Sequence, residues 1–156
     1  MKAASVKEIK TELNELSTKE LQDLCLRLSR FKIENKELLT YLLFESHNED
    51  QYIESVKNYM DGEFEIINTK NIFYIKKSVR KILKNIKKYI RYSQNKATEA
   101  ELLIYFCKKL KQFKPSISRS TQLQNLYNRQ LLQAKKRIET LHPDLQYDFH
   151  SLLEEL

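Results

Sequence analysis

The chain has 156 residues, 41% hydrophobic and 31% charged, with a net charge of +7. One Gly and two Pro fall far below the usual roughly 7% and 5%, which excludes folds built on tight hairpins and sites built on glycine-rich phosphate loops. No run approaches the roughly 18 apolar residues of a membrane span, and MKAASVKEIK lacks the apolar stretch of a secretory signal, so a cytoplasmic protein is expected.

Helix starts are legible where Ser or Thr is followed three residues on by Glu, because the two side chains then satisfy backbone donors reciprocally. Ser5 with Glu8 predicts a helix to about Leu16, and Ser17 with Glu20 a second to about Phe31. Asn35 before KELLTYLLFES and Asn48 before EDQYIESVKNYM read as further N-caps, with Asp61-Gly62 closing the latter helix. Residues 63–67 (EFEII) read as a buried connector, since no second strand is available to pair with them. A long helix is predicted over residues 69–92, and Thr98 with Glu101 opens another to about Phe113. After Lys114-Pro115 the serines of PSISRS start a helix to about Leu141, and His142-Pro143 opens the last, with Pro at the first helical position.

Eight helices with short connections predict an all-α fold, a single domain over 1–156 made of antiparallel helix hairpins. The hairpins close as a bundle or stack as a short HEAT- or armadillo-like array; no repeat of fixed period is visible. The expected core draws on LQDLCLRL, LLTYLLF, a stripe from Ile72 to Ile90, LLIYFCKKL and YNRQLLQ. Cys25 and Cys107 lie within two of these runs and are expected to be small buried hydrophobes; two distant cysteines make neither a zinc spacing nor a disulfide framework. The opening, residues 7–44, with its leucine spacing and STKEL turn, resembles the start of small all-helical bacterial proteins with no assigned activity. That resemblance implies the helical fold and carries no functional residue.

Charge is unevenly distributed. Residues 1–65 hold 9 basic and 14 acidic side chains, residues 66–98 hold 10 and none, and residues 99–156 hold 9 and 7. At about 100° per residue, Ile72, Ile75, Val79, Ile82, Leu83, Ile86, Tyr89 and Ile90 form one arc of the long helix. Lys70, Lys76, Lys77, Arg80, Lys81, Lys84, Lys87, Lys88 and Arg91 form another. Like charges at i,i+3 and i,i+4 repel by a few tenths of a kcal/mol per pair, so this face calls for an offset. Three are available: a polyanion, acidic residues from Glu45 to Glu65 folded back across the face, or solvation at physiological ionic strength.

Chemistry is sparse. Three histidines and two separated cysteines match no catalytic motif. His142, Asp144, Asp148 and His150 are close in sequence, but on a helix Asp144 and Asp148 share a face that His150 does not, and His142 reads as the cap. No enzyme activity, catalytic residue, cofactor or metal is expected. The reading is a binding protein whose Lys77, Arg80, Lys81, Lys84, Lys87, Lys88 and Arg91 engage a polyanion, foremost nucleic-acid phosphates, with Phe73, Tyr74 and Tyr92 available for base stacking. The alternative is a protein-interaction or scaffold module in which the basic face meets an acidic partner or its own N-terminal part. A membrane surface is disfavoured, because the apolar face of the helix is needed for the core.

Overall fold

A computed structural model describes all 156 residues as eight α-helices, with one π-helical and one 3-10 turn and no strand. The chain divides into two compact units, Met1–Phe44 and Glu45–Leu156.

In the first unit, α1 (Val6–Asn14) and α2 (Thr18–Phe31) begin at the expected capping boxes. The Ser5 and Ser17 backbone N–H groups donate to Glu8 and Glu20 at 2.7 and 2.8 Å, and each serine hydroxyl accepts from the glutamate N–H. Hydrogen bonds from Ser5 and Ser17 hold both carboxyls below their ordinary range. α3 (Ile33–Thr40) starts ahead of Asn35, with Lys32 in extended conformation and no side-chain cap. Asn35 is not a cap; its amide donates to the Leu28 carbonyl at 2.9 Å and ties α3 to α2. A π-helical turn, Tyr41–Glu45, follows.

None of the side chains of α1, α2 or α3 is buried, which corrects two core expectations. LQDLCLRL leaves Leu24, Cys25, Leu26 and Leu28 exposed, and LLTYLLF buries Tyr41 while Leu42, Leu43 and Phe44 are exposed. The physical reason is size: some 44 residues cannot close a core on both sides of each helix.

The second unit holds α4 (Glu49–Glu65), α5 (Ile72–Ser93), α6 (Lys96–Gln112), a 3-10 turn (Ile117–Arg119), α7 (Thr121–Ile138) and α8 (Pro143–Glu154). α6 is its axis. Its sequence is apolar on most sides, Leu102, Leu103, Phe106, Cys107 and Leu110 are fully buried, and α4, α5, α7 and α8 all pack on it. The Ile75 to Ile90 stripe of α5 is buried as expected, whereas Ile72, in the first turn, is exposed.

Three boundaries differ from the sequence expectation. Asp61-Gly62 does not stop α4, because Tyr105 and Lys109 of α6 bind the Asp61 carboxylate at 2.9 Å and Phe64 packs on Phe106 and Phe113. Those contacts outweigh the roughly 1 kcal/mol that a helical Gly costs. Residues 63–65 are therefore the last turn of α4, and of the expected connector Ile67 is buried and Ile66 exposed. α6 begins at Asn95, which caps Ala97 and Thr98; Thr98 lies inside the helix and donates its hydroxyl to Glu49 at 2.6 Å. PSISRS forms the 3-10 turn, and Ser120 caps α7.

Candidate anion-binding face

α5 is capped by Asn71, whose side chain accepts from the Phe73 N–H, and ends where Gln94 takes a left-handed conformation at φ 56°. Between those ends the helix is held by its apolar stripe, so the opposite arc is presented outward. All of its basic residues but Lys76 fall into three rows by what lies beside them.

The row toward α7 holds Arg80 and Lys87. Arg80 Nη2 donates to Gln122 Oε1 at 3.1 Å and Lys87 Nζ to Gln133 Oε1 at 3.3 Å, neutral partners that leave both charges uncompensated. The central row, Lys77, Lys84 and Arg91, is exposed. The row toward α4 holds Lys81 and Lys88: Lys81 pairs with Glu63 at 3.2 Å, and the Lys88 ammonium lies 5.1 Å from the centre of the Tyr89 ring. Arg80, Lys84, Lys87 and Arg91 together rim an open groove floored by Leu83. At 1.5 Å per residue this rim runs about 16 Å along the helix.

All seven residues expected at the site thus share one continuous face of α5. Among the acidic residues upstream, Glu63 reaches Lys81. Glu54 binds Lys57, Asp61 binds Tyr105 and Lys109, and Glu49 accepts from Thr98 and from Ser93 at the end of α5. Lys57, joined to Glu101 as well as Glu54 at 2.7 Å, is pulled down by partial burial, but the two carboxylates outweigh this and hold its ammonium above the ordinary range. Asp61 and Glu49 are thus tied to side chains of α6.

Two further features adjoin this face, the first of which, Phe73, was among the expected stacking residues. Phe73, 61% exposed, sits at the same angle as Arg91 and continues the line Lys77, Arg80, Lys84, Lys87, Arg91 by one more step of three or four residues. Its ring meets Tyr74, also exposed, edge-on at 5.8 Å. The second feature is on α7, where Arg129 and Lys136 are exposed within about 60° of Gln122 and Gln133, the residues that touch α5. The spacing 122, 129, 133, 136 carries that signal, but only with knowledge of which flank of α7 faces α5.

His142 caps α8, its Nδ1 accepting from the Asp144 N–H at 3.3 Å, and no three His, Cys, Asp or Glu side chains gather as metal ligands. Burial pushes the Cys107 thiol up to about 12, which removes it as a nucleophile. No helix is long and apolar enough to cross a membrane. Comparison with protein families, with curated proteins and with solved structures finds no match to this chain.

Proposed function

We propose that this protein is a non-enzymatic binder of polyanions and that its ligand is a nucleic acid held by its phosphates along α5. The observation that carries this reading is the line Phe73, Lys77, Arg80, Lys84, Lys87, Arg91, five cations and one exposed ring on a single ridge, beside a groove that Arg80, Lys84, Lys87 and Arg91 line. Neutral glutamines, not carboxylates, contact Arg80 and Lys87, so their charge is available to a ligand. Lys outnumbers Arg on the ridge and neither is set in a bidentate frame, which suits backbone contact without base reading. Phe73 and Tyr74 at one end suit stacking on unpaired bases, which favours a single strand over a duplex.

The test is fluorescence anisotropy with a labelled single strand, duplex and RNA hairpin at about 50 and 200 mM salt. Roughly six phosphate contacts predict an affinity loss of about 10³-fold between the two salts, and loss of binding in Lys77→Glu/Lys84→Glu/Arg91→Glu. Absence of binding at low salt by the folded wild type refutes the reading. The alternative, an acidic protein partner on the same face, is favoured by no specific contact.

A further inference from the structure

A second stretch of the chain is as free of acid as the α5 region. From Leu102 to Ile138 it holds nine basic residues and no acidic one. Within it α6 ends before Pro115, Ser116 caps the 3-10 turn by accepting from the Ser118 N–H at 3.3 Å, and the buried Ile117 anchors that turn beside α7. An open pocket of about 410 Å³ lies there, lined by Lys111, Ser116, Ile117, Ser118, Gln124 and Tyr127. Gln124 is about 180–200° round α7 from Gln122 and Gln133, which touch α5, so the pocket is separate from the basic face.

Two polar groups of this pocket have no protein partner. Tyr127 is only 9% exposed, yet its hydroxyl makes no hydrogen bond, whereas those of Tyr52, Tyr59 and Tyr105 are bonded to the Tyr89 carbonyl, Asn85 and Asp61. Buried polar groups are nearly always bonded, so a hydroxyl left over at a pocket points to what fills the pocket. Burial raises the Tyr127 pKa and keeps the group a donor at neutral pH. Lys111 is also unpaired, although its neighbours Lys108 and Lys109 bind Glu155 and Asp61. The Ser116 and Ser118 hydroxyls lie 3.0 Å apart; one donates to the other, which leaves a proton for a ligand. Gln124 donates one amide proton to Asn128 and keeps its second.

One ammonium and three neutral donors, with no carboxylate among the lining residues, suit an anion. The donors come from α6, the turn and α7, and so match the three outward oxygens of a phosphate better than the two coplanar oxygens of a carboxylate. The pocket volume falls within the range of about 300–1,000 Å³ of small-molecule sites, and Ile117 with the Tyr127 ring supplies an apolar wall. We propose that this pocket is a second ligand site and takes a small organic phosphomonoester, its phosphate held by Lys111, the serine pair, Gln124 and Tyr127 and its organic part set against Ile117.

The test is isothermal titration calorimetry of the full chain with phenyl phosphate at constant ionic strength. Saturable binding is expected, weakened at least about fivefold by Tyr127→Phe, which removes one oxygen and keeps the ring, and by Lys111→Met. Lys135→Met, at an exposed lysine outside the pocket, should bind as the wild type does. Inorganic phosphate and benzoate should each bind at least about fivefold more weakly than phenyl phosphate. Lys77→Glu/Lys84→Glu/Arg91→Glu should leave phenyl phosphate affinity within about twofold of the wild type, which separates this site from the α5 face. Circular dichroism melts establish that each variant is folded. No saturable binding by the wild type, or binding indifferent to both Tyr127→Phe and Lys111→Met, overturns the site. Benzoate binding as tightly as phenyl phosphate overturns the choice of phosphate, and inorganic phosphate binding as tightly overturns the organic part.

Discussion

Glu63 and Lys81 meet at 3.2 Å and join the acidic helix α4 to the basic face of α5. The Lys81 side chain is 66% exposed in that pair, so the contact is worth well under about 1 kcal/mol. It leaves the like-charge strain of α5 largely in place.

That strain is measurable at Lys84, which is exposed and has Arg80, Lys81, Lys87 and Lys88 at i−4, i−3, i+3 and i+4. Lys84→Glu turns four repulsions into attractions at a few tenths of a kcal/mol each. The variant should gain about 1 kcal/mol and melt several degrees higher at low salt, with the gain shrinking as salt rises. Thermal melts by circular dichroism decide it. A variant that melts lower would place an acidic partner on Lys84.

Removing the Glu63 carboxylate from this face should sharpen ligand binding. Glu63→Gln frees Lys81 for a phosphate, so affinity for a single strand at low salt should rise and the slope of log K against log salt should steepen by up to about one unit. Titration of wild type and variant at several salt concentrations checks it. An unchanged slope would show that Lys81 lies outside the contact.

How much of this was legible in the sequence depends on the kind of signal. Capping boxes at Ser5 and Ser17 and the apolar stripe of α5 are local, and the structure follows them. The Thr98 box looks equally good on paper, yet Asn95 starts the helix and Thr98 is drawn inward to Glu49, a residue 49 positions away. Gly62 likewise reads as a stop until Tyr105 and Lys109 take hold of Asp61. Leucine spacing in α2 predicts an apolar face correctly but not what covers it, because burial depends on how many neighbours the fold supplies. The seven basic residues were readable as one face from periodicity alone. That Gln122 and Gln133 of α7 touch Arg80 and Lys87 was not, since it follows from which helices pack around α6.

Glu99 is a buried carboxylate, and its cost is met by Arg137 Nε at 2.6 Å and Gln133 Nε2 at 2.6 Å. Arg137→Met should strand that charge and destabilise the second unit by about 2–3 kcal/mol, below the full cost of a broken buried pair because Arg137 is half-exposed. Glu99→Gln in the same background removes the stranded charge, so the double variant should recover about half the loss. Urea denaturation of the two single variants and the double closes the cycle. Strict additivity would show that the two residues do not act as a pair.

Tyr105 and Cys107 set the alkaline limit of the second unit. Burial, then the hydrogen bonds its hydroxyl donates to both Asp61 oxygens at 2.9 Å, pushes Tyr105 from 10.0 up to about 12. Burial alone pushes Cys107 from 9.0 up to about 12. Both groups are neutral when protonated, and both pKa values are higher folded than unfolded. Their stabilising effect is therefore complete below about pH 9 and is lost as pH climbs toward 12, because the unfolded chain releases its protons first. Urea midpoints should hold steady from about pH 7 to 8.5 and then fall, each group steepening the decline by up to about 1.4 kcal/mol per pH unit. Cys107→Val should flatten the portion between about pH 9 and 10, where the tyrosine has not begun to contribute, and Tyr105→Phe the portion above it. A Cys107→Val profile that tracks the wild type through that first interval would show that the thiol is not protected in the folded core.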